Sequence, residues 1–246
     1  MCGRYAFLLP PEAMTALFKV LNEVADYPPR YNITPTQPII IVAEREGHRT
    51  AELFRWGLVP GWVKDPKDFP LLINARAESM ADKPSFRDAL RNSRCIVPAS
   101  GYYEWMKGGD GKRRPYYITS SETETMAFAG LYSTWAGPNG EEVDTVCIVT
   151  VDPNLEISGV YDRMPAILRG EAAIDAWLNT REVDVKQALT LAVSPPPGTM
   201  KYHPVGKAIG KATSEGPELI LPATGEDDEE PPRKSKAAGG TQLDLF

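Results

Sequence analysis

Apolar residues near the start of the chain recur at the spacing of one helix face. Met14, Leu17, Phe18, Leu21 and Val24 line up along residues 11–24, and a proline stands in the first turn, where its missing N–H is tolerated. This pattern predicts an amphipathic helix. Shorter helices are predicted over 84–91, 171–178 and 183–188.

Runs rich in β-branched and aromatic residues predict strands over 38–43, 52–58, 71–75, 95–105, 115–119, 125–132 and 143–151. Residues 138–140, Pro-Asn-Gly, indicate a hairpin turn between the last two. Many short strands with few helices favour an α+β fold, in which one domain is built on a curved, partly barrel-like, mainly antiparallel sheet flanked by helices. The 23 prolines in 246 residues agree with short strands joined by turns.

The composition changes near Pro222, which predicts where the folded domain ends. Residues 223–246 contain an acidic run and two adjacent prolines, so we expect a disordered acidic linker after a folded domain of residues 1–222. The linker carries half of the formal net charge of −6. The charge of the remaining domain therefore does not argue against nucleic-acid binding.

The chain shows neither a secretory signal nor an apolar run of the ~18 residues that a membrane helix needs. We therefore expect a cytoplasmic protein without membrane contact. The three cysteines, at 2, 95 and 147, cannot all pair and lack the CxxC spacing of a zinc cluster. With only two histidines there is no metal-ligand pattern, and we expect neither a metal nor another cofactor.

Cys2 offers the most specific chemistry in the sequence. Removal of Met1 would leave both a free α-amine and a thiol on Cys2. The amine, with a pKa of roughly 7.7 to 8.0, can attack an aldehyde to give an imine. The thiol can then add to the imine carbon and close a five-membered thiazolidine. The alternative, a small residue at a tucked-in terminus, would account for Cys2 taken alone.

A polar strand face follows the apolar residues 71–73. Asn74, Arg76 and Glu78 share this face at the period of two. An amide and a guanidinium suit an anionic sugar phosphate, whereas a solvated sheet face is the alternative.

Glu104 lies between aromatic residues, with Tyr102 on its own face of the strand and Tyr103 and Trp105 on the other. A carboxylate among aromatic rings is desolvated, which raises its pKa and suits it to proton transfer. A surface glutamate on a strand edge is the alternative.

Two further features bear on nucleic-acid binding. Trp62 lies in a Pro/Gly turn beside Trp56, and an exposed indole there would stack on a nucleobase, although a buried core ring is the default. Arg4 lies two residues from Cys2 and must be within reach of whatever Cys2 touches.

Seven blocks occur in one order along the chain and together resemble the SOS-response-associated peptidase (SRAP) family, also called abasic site processing proteins. They are MCGRY at 1–5, RYNITP at 30–35, WGLVP at 56–60, NARAE at 74–78, GYYEW at 101–105, DRMP at 162–165 and HPV at 203–205. The resemblance spans residues 2 to about 222. It implies a single α+β domain, expected to be a monomer, that binds single-stranded DNA. It also implies a covalent thiazolidine cross-link from the N-terminal Cys to the aldehyde of an abasic site, which shields the lesion from strand cleavage.

The resemblance also implies roles for individual residues. Cys2 would be the nucleophile, Asn74 would hold the reacting sugar, and Glu104 would be the acid/base that assists ring opening. Arg4 and Arg76 would contact phosphates. We add three residues expected to contact DNA, which are Trp62, Trp105 and Arg163.

One residue departs from the family pattern. Tyr161 precedes Asp162 where the family usually has His, so an imidazole is missing. A phenol with a pKa near 10 donates a hydrogen bond but is a poor base at pH 7, whereas imidazole can do both. The hypothesis is that cross-linking survives in this chain while its formation or reversal is slower than in relatives that carry the histidine.

Three alternatives remain open at this point. Class II glutamine amidotransferases also begin Met-Cys-Gly, and residues 139–141, Asn-Gly-Glu, echo one of their motifs. A cysteine peptidase or lyase-like activity, including self-removal of a leader before Cys2, agrees with the family name. A non-catalytic DNA-binding module is the third.

The chain closes on Gln242, Leu243, Asp244, Leu245 and Phe246, which place three apolar residues in a polar tail. This pentamer resembles the QLxLF motif that docks into the hydrophobic cleft of the DNA polymerase III β sliding clamp. A chance apolar end is the alternative. Tethering to the clamp would hold the domain near the replication fork, in association with the nucleoid.

Overall fold

The structure, a computed structural model, describes residues 2–22 and 27–224. The described α-helices are α1 (Pro11–Phe18), α2 (Arg87–Asn92), α3 (Glu171–Leu178) and α4 (Val185–Leu191). The first strands are β1 (Tyr5–Phe7), β2 (Arg30–Ile33), β3 (Pro38–Arg45), β4 (His48–Trp56), β5 (Asn74–Arg76), β6 (Arg94–Ala99) and β7 (Gly101–Lys107). They are followed by β8 (Arg113–Ser120), β9 (Met126–Ala136), β10 (Glu142–Val151), β11 (Met164–Pro165), β12 (Ile167–Leu168) and β13 (Met200–Pro204).

Five strands form a closed circuit in the order β10-β4-β3-β6-β9 and back to β10. The pairing of β10 with β4 is parallel and the other four pairings are antiparallel. Closure leaves these strands without a free edge, and their apolar side chains fill the interior. Ile39, Ile41, Phe128 and Ile148 are fully buried on one face of these strands, and Ile96 is fully buried on the other.

A second, antiparallel sheet has the order β13-β8-β7-β1-β2. Ser100 separates it from the barrel, because the chain leaves β6 of the barrel and enters β7 of the second sheet at this residue. The Ser100 N–H donates to the Ala6 carbonyl, and the Ser100 hydroxyl accepts from the Leu8 N–H. The segment predicted as one strand over 95–105 is therefore two strands in two sheets.

The predicted fold class is confirmed, since one domain is built on a mainly antiparallel sheet that closes into a five-stranded barrel with few helices. The predicted bounds of α3 are also confirmed. The hairpin turn joins β9 to β10, and Gly140 adopts a φ of 86°, which favours glycine. Within the described residues, no helix has the length and apolar character required to cross a membrane.

Other predicted bounds were wrong. The first helix ends at Phe18 because Lys19 adopts a left-handed φ of 53° and Val20 forms a β-bridge with Arg49. Leu21 is consequently 70% exposed. The predicted helix over 84–91 is found at Arg87–Asn92, and the one over 183–188 at Val185–Leu191, after a capping box between Asp184 and Gln187.

Three strands of the second sheet, β1, β2 and β13, were not predicted, because they are short and lack a long alternating pattern. Val24 and residues 225–246 lie outside the described residues. The disordered linker and the domain boundary at residue 222 therefore stay predictions.

Candidate active site

Cys2 is fully buried beside the second sheet. It precedes β1, and β1 pairs with β7 so that Tyr5 stands opposite Tyr102. The Tyr103 N–H also donates to the Arg4 carbonyl at 2.9 Å, which keeps the chain alongside β7 before β1 begins. The N-terminal segment is therefore held against the strand that carries Glu104.

Glu104 is 3% exposed and faces away from bulk water. Burial raises the pKa of its carboxyl to about 7, and the carboxylate of Asp162 contributes in the same direction. A carboxyl with this pKa is present in both protonation states near neutral pH, so it can both give and take a proton. The desolvation expected from its aromatic neighbours is thus present.

The alternation predicted along β7 is also present. Tyr102 packs into the main core together with Cys2, whereas Tyr103 and Trp105 pack in a second cluster on the other side of the sheet. The period of two places Glu104 on the face of Tyr102. Cys2, Tyr102 and Glu104 therefore share one side of the sheet.

The thiol of Cys2 is strongly biased towards its protonated form. Burial raises its pKa, the nearby carboxylate of Glu104 adds to this increase, and a hydrogen bond from the Arg4 N–H opposes it. A buried thiolate is costly without a partner. Nucleophilic attack by sulfur at this site consequently requires a base that removes its proton during the reaction, and Glu104 is positioned for it.

Tyr161 lies half-buried on the segment that follows a short 3₁₀ turn, Ile157–Gly159. Burial raises the pKa of its phenol, and the carboxylates of Glu104 and Asp162 raise it further, against an opposing effect of Arg113. Tyr161 therefore faces the same charged groups as Glu104 and can act there only as a hydrogen-bond donor at neutral pH.

Arg4 is held by the second cluster. Its guanidinium donates to Oδ1 of Asn32 at 2.9 Å and to the Ile209 carbonyl, and it lies over the Trp105 ring at 5.7 Å from the ring centre. Asn32 is 1% exposed and anchors this arrangement. The candidate-residue predictions omitted Asn32, although it lies in the RYNITP block at 30–35 that carried the family resemblance.

β5 presents the predicted polar face at its pairing with β10. Nδ2 of Asn74 donates to the Ile148 carbonyl at 3.4 Å, while its Oδ1 is buried and has no hydrogen-bond partner in the described part of the chain. Arg76 is exposed. β5 therefore carries a hydrogen-bond acceptor without a described partner, Oδ1 of Asn74, and the exposed guanidinium of Arg76.

Arg163 is 6% exposed and lies within a network of protein contacts. It pairs with Asp152 at 2.6 Å and Glu78 at 2.8 Å, and it donates to the Thr150 carbonyl. These bonds tie the end of β5 to the segment that carries Tyr161. The predicted contact of Arg163 with DNA stays a prediction. The observed contacts show that the Arg163 side chain holds neighbouring segments of the protein together.

The two tryptophans predicted to contact DNA differ in exposure. Trp62 is 59% exposed and is supported at its edge by Phe69, with 5.7 Å between ring centres. Trp105 is half-buried beneath Arg4. Trp62 therefore offers the more accessible stacking surface.

The structure describes no group of three or more His, Cys, Asp and Glu side chains arranged to hold a metal ion in residues 2–22 and 27–224. Gln242, Leu243, Asp244, Leu245 and Phe246 lie outside this part of the chain.

Known proteins with similar sequences and structures identify the family of this chain. The chain is 34% identical over 223 residues to the abasic site processing protein YoqW of Bacillus subtilis, which covers 89% of this chain and 99% of the relative. It is 33% identical over 229 residues to the abasic site processing protein YedK of Escherichia coli, covering 90% and 100% of the two chains.

A crystal structure of a protein from Bacteroides thetaiotaomicron superposes with a TM-score of 0.81 at 26% identity, covering 91% of this chain and all of the other. The sequence model described as SOS response associated peptidase (SRAP) matches residues 1–212, which include every strand and helix that contributes to the site. The chain belongs to the SOS response associated peptidase (SRAP) family.

Proposed function

We propose that the protein captures abasic sites in single-stranded DNA by forming a thiazolidine between Cys2 and the sugar aldehyde, after removal of Met1. The observation that carries this proposal is the buried pair of Cys2 and Glu104, a thiol beside a carboxyl whose pKa is raised to about 7. The names of the relatives, abasic site processing proteins, support the same substrate.

The reaction begins at the closed ring of the abasic sugar. Glu104 gives a proton to the ring oxygen, a water molecule takes the hydroxyl proton on C1′, the bond between C1′ and the ring oxygen breaks, and the ring opens to an aldehyde. The α-amine of Cys2 then attacks this aldehyde carbon, and loss of one water gives the protonated imine.

The thiol of Cys2 completes the adduct. Its proton passes to the Glu104 carboxylate, the sulfur forms a bond to the imine carbon, and the electron pair of the C=N double bond moves to nitrogen. The net change is aldehyde plus aminothiol giving thiazolidine plus one water. Glu104 is suited to both steps because its pKa of about 7 supplies acid and base at neutral pH.

Neighbouring residues would hold the DNA. The free Oδ1 of Asn74 can accept a hydrogen bond from a sugar hydroxyl, and the exposed Arg76 can contact a phosphate. The guanidinium of Arg4 lies over Trp105 in the second cluster, so its contact with a phosphate stays a prediction. Trp62 can stack on an unpaired base.

The test uses a single-stranded oligonucleotide with one abasic site, incubated with the full chain and resolved on a denaturing gel. The native protein should give one slow band, and Cys2→Ala should give none. Cys147→Ala is the matched control, because this cysteine is also buried and lies on β10 of the barrel. Mass spectrometry must also show that Met1 is absent from the cross-linked protein. A cross-link that persists in Cys2→Ala, or that forms with Met1 retained, overturns the proposal.

The other chemistries considered for the family have less support. Residues 139–141, which echo a glutamine amidotransferase motif, lie exposed in the hairpin between β9 and β10. A peptidase activity would use the same thiol on an amide carbonyl, and glutamine and peptide turnover by the purified protein would detect either alternative.

We also propose that Gln242, Leu243, Asp244, Leu245 and Phe246 bind the β sliding clamp. The support is the pentamer itself, because three apolar residues in a polar segment fit a hydrophobic cleft. A peptide of residues 237–246 should bind the purified clamp, and replacing Leu245 and Phe246 by alanine should abolish binding. Absence of binding at high micromolar peptide would refute this partner.

A further inference from the structure

The hydroxyl of Tyr102 is buried in the main core without a hydrogen-bond partner among the described residues, and the side chain is fully shielded from solvent. Leaving a buried hydroxyl without a hydrogen bond lowers the stability of a folded protein. Phenylalanine would fill nearly the same volume without that cost. The hydroxyl therefore calls for a role other than packing.

The position of Tyr102 places this hydroxyl at the candidate active site. Tyr102 stands opposite Tyr5 in the β1–β7 pair and shares a face of β7 with Glu104. Its ring is fixed by an edge contact with Phe128, at 5.9 Å between ring centres. Cys2 belongs to the same buried cluster.

The electrostatic surroundings keep this phenol protonated. Burial raises the pKa of Tyr102 well above its usual value, and the neighbouring groups of Cys2 and Glu104 raise it further. The Tyr102 hydroxyl therefore stays protonated at neutral pH, where it can donate a hydrogen bond.

We propose that the Tyr102 hydroxyl, which has no partner among the described residues, donates a hydrogen bond to the sulfur of Cys2 as the thiazolidine ring closes, an inference that rests on the proposed function. When the thiol proton passes to Glu104, negative charge develops on a sulfur that is shielded from water. The Arg4 N–H is one donor to this sulfur. Tyr102 supplies the second, so Tyr102 acts as a positioning residue through Cys2.

Removing this hydrogen bond should affect ring closure and leave imine formation unchanged, because the amine and the aldehyde do not involve the sulfur. One hydrogen bond to a charged group corresponds to a rate change of roughly 10- to 100-fold. We expect Tyr102→Phe to slow closure by this factor, with accumulation of the imine.

The experiment follows the native protein, Tyr102→Phe and Tyr103→Phe on the same abasic oligonucleotide, with aliquots quenched in cyanoborohydride. Reduction of the imine gives a product two hydrogens heavier than the thiazolidine, so mass spectrometry separates the two adducts. Tyr103→Phe is the matched control, because its hydroxyl lies on the opposite face of β7 and donates to the Tyr31 carbonyl at 2.7 Å.

The outcomes separate this inference from the proposed function. A larger reduced-imine fraction in Tyr102→Phe, with a native fraction in Tyr103→Phe, supports the role of Tyr102. Equal fractions in all three proteins overturn it while leaving the proposed function intact. If the native protein forms no covalent adduct, the proposed function fails and the role of Tyr102 fails with it. A changed unfolding midpoint in Tyr102→Phe with an unchanged ratio of the two adducts would show a purely structural role and overturn the inference.

Discussion

The two faces of β7 carry similar side chains and differ in how their polar groups are satisfied. On one face, the Tyr103 hydroxyl donates to the Tyr31 carbonyl at 2.7 Å, and Trp105 supports the guanidinium of Arg4. On the other face, the Tyr102 hydroxyl has no partner in the described residues, and burial raises the pKa of Glu104 to about 7. β7 therefore separates a face on which the tyrosine hydroxyl is hydrogen-bonded from a face on which it has no partner among the described residues.

The difference shows how a sheet holds a reactive group. Because alternate residues of a strand point to opposite faces, the hydrogen bonds of one face fix the position of the strand while the other face keeps its polar groups available. Availability costs stability, since a buried polar group without a full set of hydrogen bonds is unfavourable. The following substitutions test whether the buried polar groups that lower stability take part in the reaction.

Glu104→Gln should have the largest effect on the reactive face. The amide keeps the shape of the side chain and removes its ability to exchange a proton, so the rate of cross-linking at pH 7 should fall by about 100-fold or more. Time courses on denaturing gels measure this rate. The control is Glu142→Gln, at an exposed position at the start of β10.

This prediction is contradicted if Glu104→Gln cross-links within a few-fold of the native rate. Unfolding of both variants should be followed in parallel, so that a lost fold is not mistaken for a lost proton transfer.

The same substitution should change how stability depends on pH. The folded pKa of Glu104, about 7, lies above its usual 4.5, so the folded state binds more protons between these values. The stabilisation is therefore complete below about pH 4.5 and is lost as pH rises through 7. Relative to Glu104→Gln, the native protein should lose up to about 3 kcal/mol of unfolding free energy between pH 4.5 and 8. Denaturant titrations at several pH values measure the difference, and parallel pH curves would rule out the raised pKa.

How far the sequence predicted this fold depended on the length of the pattern. Runs rich in β-branched and aromatic residues identified β8, β9 and β10, because each strand is long and mostly buried. It could not show that Ser100 divides one run into strands of two sheets, since that division depends on bonds to Ala6 and Leu8. Likewise, nothing local indicated that Lys19 would end α1, because the bridge from Val20 to Arg49 is a long-range contact.

Within the candidate site, the burial of Glu104 was predictable from the sequence. Glu104 could be singled out because aromatic neighbours imply desolvation, and the structure places it in such an environment. The bonds of Arg163 to Glu78 and Asp152 could not be predicted, since they join three separate segments. The orphaned hydroxyl of Tyr102 was equally hidden, because a sequence does not reveal which buried groups lack a partner.

Tyr103→Phe tests the structural face. Loss of its hydrogen bond to the Tyr31 carbonyl should lower the unfolding free energy by about 1 kcal/mol. The rate and the product of cross-linking should stay native, because Tyr103 lies on the side of β7 away from Cys2. Denaturant unfolding measures the first quantity and gel time courses the second. A changed cross-linking rate with native stability would show that the two faces are not independent.

Tyr161→His should have the smallest effect on the rate of cross-linking. Residue 161 does not lie on β7, but it is near Glu104. The phenol of Tyr161 has a raised pKa and only donates, whereas an imidazole with a pKa near 6.5 both gives and takes a proton beside Glu104. We expect formation and reversal of the adduct to become several-fold faster near pH 7. Tyr161→Phe is the control, because it removes the hydroxyl without adding a base, and it should not accelerate either step. Rates of both steps measured from pH 5.5 to 8.5 decide the matter, since unchanged rates in Tyr161→His would mean that Glu104 alone moves the protons.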